Sequence, residues 1–169
     1  MLRKLFFRKK EKSPMEDNTI NILELRREGE ELYRNRDFFC SEAVIKVILN
    51  HFPNEFDDNV IKLASGFPVG IGGAMCTCGA VNAGVMAIGM FFGRNQSKGK
   101  EVKKAMLLSK ELYEEFTKTH KVACCKVLTK GKELGSKEHL THCVNMTGEV
   151  VEITGRILAR ELGYKILEK

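Results

Sequence analysis

Strand-like alternation of apolar and polar residues is nearly absent from this chain, no internal repeat is found, and proline is rare, three in 169 residues. What remains reads as helices punctuated by glycine. A P-loop, a G-x-G-x-x-G fingerprint, a G-x-S-x-G elbow and a haem-attaching C-x-x-C-H are all missing, so phosphate, dinucleotide, serine-nucleophile and c-type haem chemistry have no motif to rest on. The paired C-x2-C spacing of common zinc modules is missing too. Charge is absent from Leu63 to Gly93, long enough to raise a transmembrane helix. Pro68 and the glycines at 66, 70, 72 and 73 break its first half into loop, and Gly79 to Gly93 is too short to cross a ~30 Å hydrocarbon core at about 1.5 Å per residue. A central helix enclosed by others accounts for it better.

The formal charge of +6 is concentrated in the first twelve residues, where Arg3, Lys4, Arg8, Lys9, Lys10 and Lys12 against Glu11 give +5. The rest of the chain is nearly neutral, which excludes a basic nucleic-acid-binding face over the domain. Leu2, Leu5, Phe6 and Phe7 interleave with these cations, so the arm suits weak contact with an anionic membrane surface or an acidic partner; the plainer reading is a frayed, solvated tail. It lacks the apolar region and cleavage site of a signal peptide. A cytoplasmic, reducing location is the expectation, and there six cysteines are poorly explained as a disulfide framework.

Helical spacing places Leu25, Gly29, Leu32 and Tyr33 along one face over residues 20–35, and Cys40, Ala43, Val44, Val47 and Ile48 over 39–51. Asp57 and Asp58 open a short helix to about Ser65. After the glycine loop, residues 78–92 form a helix rich in small residues, 100–120 an amphipathic one, and Cys124 and Cys125 open a short apolar stretch. In the last helix Cys143, Met146, Val150, Ile153 and Ile157 recur at alternating steps of three and four, which puts Cys143 in its first turn. The expected architecture is all-α: a compact, single-domain bundle of about six or seven helices with a Gly-rich loop. Residues 1–18 form the basic, flexible arm and 19–169 the cysteine-containing domain.

Cys40, Cys78, Cys125 and Cys143 each fall at or near a predicted helix start, where unpaired N–H groups and the helix dipole favour a thiolate, the form that ligates metals and attacks disulfides. Any one of them alone reads as a small buried hydrophobe. Four in the same context point to sulfur chemistry. Adjacent helical side chains diverge by about 100°, so one of each neighbouring pair is spare, and Cys76 and Cys124 are secondary candidates. The four histidines offer a zinc alternative through His120 before Cys124 and His139 and His142 before Cys143, although three of the four lie in polar sequence expected to be exposed.

Cys40-Ser-Glu-Ala-Val44, the loop from Leu63 to Gly73, Thr77-Cys78-Gly-Ala-Val81 with Met86-Ala-Ile-Gly89, Cys125-Lys-Val-Leu128 and Cys143 together resemble the redox-active family named for its C_GCAxxG_C_C cysteine pattern. The resemblance runs from about Arg34 into the last helix. The order around Cys78 departs from the family label, and Ala83 stands where a glycine is expected. The resemblance implies an all-helical domain with a redox role assigned largely from its cysteines, and a similar domain in split-Soret cytochromes is associated with a 2Fe-2S centre.

Electron transfer through a 2Fe-2S centre on Cys40, Cys78, Cys125 and Cys143 is therefore the first expectation. Metal-free thiol-disulfide chemistry, with Cys78 attacking and a neighbour resolving, is the second. A structural zinc site, or buried cysteines in a partner-binding module, is the third. The partners expected are a redox protein and, through the arm, a membrane surface, with no nucleic acid; a homodimer is a further candidate arrangement. No enzymatic reaction is named by these residues.

Overall fold

The computed structural model describes residues 18–167, so the basic arm lies outside the described residues apart from Asn18. The elements in order are β1 (Thr19–Asn21), α1 (Ile22–Arg34), α2 (Cys40–His51), a 3-10 helix (Asp58–Ala64), α3 (Gly79–Phe92), α4 (Val102–His120), α5 (Cys125–Leu128), α6 (Lys137–Leu162) and β2 (Lys165–Leu167). The all-helical expectation holds, with one small addition. β1 and β2 pair in parallel, Ile20 opposite Ile166, and at three residues each they are too short for alternation to be read from sequence. Helix α1 accordingly begins at Ile22, where the Asn21 side chain accepts from the Glu24 N–H at 3.2 Å.

α1 lies along α6, and α2, α3 and α4 complete the bundle around a core that includes Leu25, Ile48, Phe52, Ile88, Leu112, Phe116 and Leu158. α3 is the enclosed helix that its uncharged sequence predicts, flanked by α2, α4 and α6. Its small residues set the approach distance. A Cβ on Gly84 would stand 2.6 Å from Leu112 Cδ1 and 2.8 Å from Thr154 Oγ1, closer than packed side chains come, so only glycine lets three helices meet there. No helix among the described residues is long and apolar enough to cross a membrane.

The longest helix starts earlier than its apolar stripe suggests. Ser136 caps α6 by accepting from the His139 N–H at 3.1 Å, which places Cys143 in the second turn rather than the first. The physical reason is that a cap is polar and precedes the apolar stripe, so the stripe alone dates the start too late.

Candidate functional site

Five separate links carry the cysteine-bearing segments to one end of the bundle. The Ser41 hydroxyl donates to the Ala64 carbonyl at 2.9 Å and the Ser65 hydroxyl to Glu42 Oε1 at 2.6 Å, tying the start of α2 to the chain that enters the glycine loop. The Cys78 N–H donates to the Ala123 carbonyl and the Lys126 N–H to the Met75 carbonyl, both at 2.8 Å. These two bonds strap residues 75–78 beside 123–126. A contact of 2.9 Å between His142 Nε2 and the Leu128 carbonyl then fixes α5 against α6.

The glycine loop is a left-handed coil. Five consecutive residues, Val69, Gly70, Ile71, Gly72 and Gly73, have φ of +56°, +67°, +49°, +60° and +90°. Glycine takes this conformation freely, whereas a non-glycine residue there costs about 1–2 kcal/mol, and the β-branched Val69 and Ile71 are the least suited to it. The loop closes on itself through Ile71 N–H to Phe67 carbonyl and Met75 N–H to Val69 carbonyl, both at 3.1 Å. One outcome of this folding is that the Val69 N–H faces the Cys40 sulfur.

Cys40, Cys78, Cys125 and Cys143 line a single enclosed cavity of about 20 Å³ together with Tyr33, Val69, Gly79, Ala80, His139, Met146 and Thr147. Cys40 is the first residue of α2, Cys78 immediately precedes α3 and Cys125 is the first residue of α5, as the helix-start reading expects. A Cβ on Gly79 would stand 2.9 Å from Cys40 Sγ and 2.7 Å from the Phe67 carbonyl oxygen. Glycine there lets the Cys40 sulfur, the loop backbone and α3 share one small space.

Cys76 and Cys124 do not line the cavity: Cys76 is exposed, and Cys124 Sγ lies 3.7 Å from the Met75 carbonyl oxygen. All six thiols are free.

Burial dominates the chemistry of the four cavity thiols. It pushes Cys40 up to about 12, aided by the charges of Cys78 and Cys143 and opposed by the N–H groups of Ser41 and Val69. Burial raises Cys78 as well, against the N–H groups of Val81 and Ala80 in the first turn of α3; neither forms a full capping bond to the sulfur. Cys125 rises to about 11 by burial and then the charges of Cys78, Cys124 and Cys76. Cys143 rises to about 12 by burial and by Cys78 and Cys125, with the Tyr33 hydroxyl and the Lys132 charge working the other way. All four are therefore held as neutral thiols near pH 7, apart from any bound cation.

Two further titratable residues line the site beyond the four cysteines, His139, which the sequence offers only as part of a zinc alternative, and Tyr33, which it offers only as part of an apolar stripe. His139 is 6% exposed, not in solvent as its polar surroundings suggest, and its Nε2 lies 3.7 Å from Cys143 Sγ. Its spacing of four from Cys143 is the signal that puts both on one helix face. Burial and the charges of His142 and Lys132 lower its pKa, favouring the neutral imidazole. The other histidines are also engaged: His120 with Glu149 at 2.7 Å, and His51 with Glu28 at 2.5 Å. Tyr33, on the apolar stripe of α1, is the one the sequence does not single out for the site; burial first, then Cys143 and Cys40, raise its hydroxyl pKa.

The donor set fits a thiolate-ligated centre in its chemistry, since four soft donors converge in an apolar, glycine-lined cavity with N–H groups facing two of the sulfurs. The space is tighter. About 20 Å³ holds roughly one water-sized guest, and among the described residues no group of three or more His, Cys, Asp or Glu stands in metal-holding geometry. A two-iron cluster fits only where the cavity walls stand further apart.

A family model described as "Putative redox-active protein (C_GCAxxG_C_C)" matches residues 38–157, which includes all four cavity cysteines. No curated protein and no solved structure matches the chain.

Proposed function

We propose that this chain, which belongs to the C_GCAxxG_C_C family of redox-active proteins, exchanges electrons at the pocket of Cys40, Cys78, Cys125 and Cys143 through a thiolate-ligated metal centre of the 2Fe-2S kind. The observation that carries the reading is the convergence of four cysteines from four separate segments on one enclosed, apolar cavity. A 2Fe-2S centre supplies one-electron exchange at a potential set by burial and by hydrogen bonds to its sulfurs. The chain's own part is to deliver the thiols, exclude water, and aim the Ser41 and Val69 N–H groups at Cys40 and the Ala80 and Val81 N–H groups at Cys78. Such N–H groups stabilise thiolate, the state that a metal ligand must adopt.

The same burial counts against thiol-disulfide exchange begun by Cys78, because the attacking species is the thiolate and burial raises this thiol. A reducing, cytoplasmic compartment and a redox partner protein belong to this reading.

Anaerobic purification with iron and acid-labile sulfide analysis tests it. The expected result is brown protein with about two irons and two sulfides per chain, lost on replacing any one of Cys40, Cys78, Cys125 or Cys143 by Ser and kept in Cys76→Ser and Cys124→Ser. Colourless, zinc-loaded protein would overturn it in favour of a structural site. Iron content indifferent to all four substitutions would overturn it in favour of cysteines that merely pack.

A further inference from the structure

Two of the six cysteines take no part in the pocket, and the fold brings them to one place on its outer side. Cys76 and Cys124 sit on the two strapped segments, which the Cys78 N–H to Ala123 carbonyl and Lys126 N–H to Met75 carbonyl bonds hold together. The Cys124 sulfur lies 3.7 Å from the Met75 carbonyl oxygen, and the carbon of that carbonyl is bonded to the Cys76 nitrogen. A trans peptide oxygen stands about 2.8 Å from the next Cα, so the Cys124 sulfur is within about 6.5 Å of the Cys76 Cα. The packing beneath agrees. A Cβ on Gly70 would stand 2.5 Å from the Cys76 nitrogen and 2.9 Å from the Cys125 Cβ, so the two segments meet across that glycine.

The two thiols differ in access. Cys76 is exposed and Cys124 half-buried, the arrangement of an entry thiol with a second thiol behind it. Disulfide exchange requires that a sulfur be reached from solvent, which the four pocket thiols are not. The polar contacts of the outer pair are long, 3.9 Å from Cys76 Sγ to Thr77 Oγ1 and 3.7 Å from Cys124 Sγ to Met75, and neither holds its sulfur away from the other. Since neither residue lines the pocket, joining them removes no pocket thiol.

We infer that Cys76 and Cys124 form a second thiol–disulfide site, oxidised to an internal bond by a low-molecular-weight disulfide such as that of glutathione. Cys76 releases its proton to solvent and its sulfur attacks one sulfur of the reagent; the reagent's S–S bond breaks, and the departing thiolate takes up a proton. The Cys124 sulfur, its proton also lost to solvent, attacks the Cys76 sulfur of the mixed disulfide and expels the second thiol. Two cysteine thiols are thereby oxidised by two electrons, and one disulfide is reduced to two thiols. The new bond spans the strap that carries Cys78 and Cys125, so the thiol–disulfide balance of the surroundings sets how firmly two pocket thiols are held. An exposed bond of this kind is readily reversed. The site does not depend on what the pocket holds.

Reduced full-length protein, freed of reductant, is equilibrated without oxygen against mixtures of reduced and oxidised glutathione, quenched with acid and alkylated under denaturing conditions. Intact mass counts the free thiols, and fragmentation of linked peptides locates the bond. As the oxidised share rises, the parent should lose two alkylatable thiols and retain no glutathione, with the bond between residues 76 and 124. Cys124→Ser should stop at one glutathione on Cys76, and Cys76→Ser should form no internal bond, each shown to be folded by circular dichroism. A bond from Cys76 to Cys125 or to another pocket cysteine, glutathione retained on Cys76 of the parent, or six alkylatable thiols at every mixture would each overturn the inference. The parent's bond position needs no variant, so the test stands even where a substitution unfolds the chain. Iron content decides the pocket and bond position decides this site, so either can fail alone.

Discussion

Along α6 one helix serves two unlike regions. From His139 to Thr147 it borders the cysteine pocket, whereas from Val150 to Leu158 it lies in an apolar core against α1, α3 and α4. The core end is built from ordinary helix packing and is laced outside by Arg26 to Glu30 and Glu152 at 3.0 and 2.9 Å, and by Arg156 to Glu152 at 3.0 Å. The cysteine end is built from a left-handed coil, a single turn of helix and four thiols held protonated. Labour is divided between the two ends: the core end supplies stability, and the cysteine end accepts unfavourable backbone and burial because the other end can sustain it.

The division is broken most directly at its stable end. Phe52 is fully buried with its ring edge-on to Phe91 and Tyr164, centroids 6.0 and 5.7 Å away. Phe52→Ala should cost about 3–5 kcal/mol, lowering the melting temperature by roughly 10 °C for a chain of this length. Below that transition the four pocket thiols should stay as slow toward a thiol reagent as in the parent. Fast labelling of all four in the folded variant would show that the two ends are one unit.

Two glycines on α3 sharpen the contrast. Gly84→Ala drives a methyl into Leu112, Thr154 and Val150, and Gly79→Ala drives one into Cys40 Sγ and the Phe67 carbonyl. Overpacking of this kind costs about 1–3 kcal/mol. The Gly84 variant should lose stability with the pocket intact, while the Gly79 variant should change thiol reactivity and iron content. Denaturant midpoints beside iron analysis read both, and the opposite assignment would invert the comparison.

The smallest effect is a pH dependence confined to the cysteine end. Cys40 is raised to about 12 in the folded chain from about 8.5 when unfolded. The folded state therefore binds the proton more tightly, and the stability this contributes is present below pH ~8.5 and lost progressively as pH rises toward 12. Between pH 8 and 10 metal-free protein should lose on the order of 1–2 kcal/mol more than Cys40→Ala loses, by urea denaturation. Equal slopes for the two proteins would remove Cys40 from the explanation.

Much of the frame was legible beforehand because periodicity is a local property. The stripes through Leu25 and Tyr33 on α1, Cys40 and Val47 on α2, and Met146 and Ile157 on α6 lie on helices found within a few residues of their predicted bounds. The start of α6 was misjudged, since its cap at Ser136 is polar and outside the stripe. The two strands were missed because three residues show no alternation.

Of the site, the sequence carries the four candidate cysteines, the helix starts at or beside residues 40, 78 and 125, and a loop broken by Pro68 and the glycines at 66, 70, 72 and 73. It could not determine that these thiols meet. That convergence depends on the strap between residues 75–78 and 123–126 and the contact from His142 to Leu128, which link residues far apart along the chain by bonds that leave no period in the sequence. The same is true of His139, polar by its neighbours yet buried, and of Tyr33, an unremarked member of an apolar stripe. Burial is a property of what packs on top of a residue, so the thiols' protonation and the space between them were fixed by folding and not by spacing.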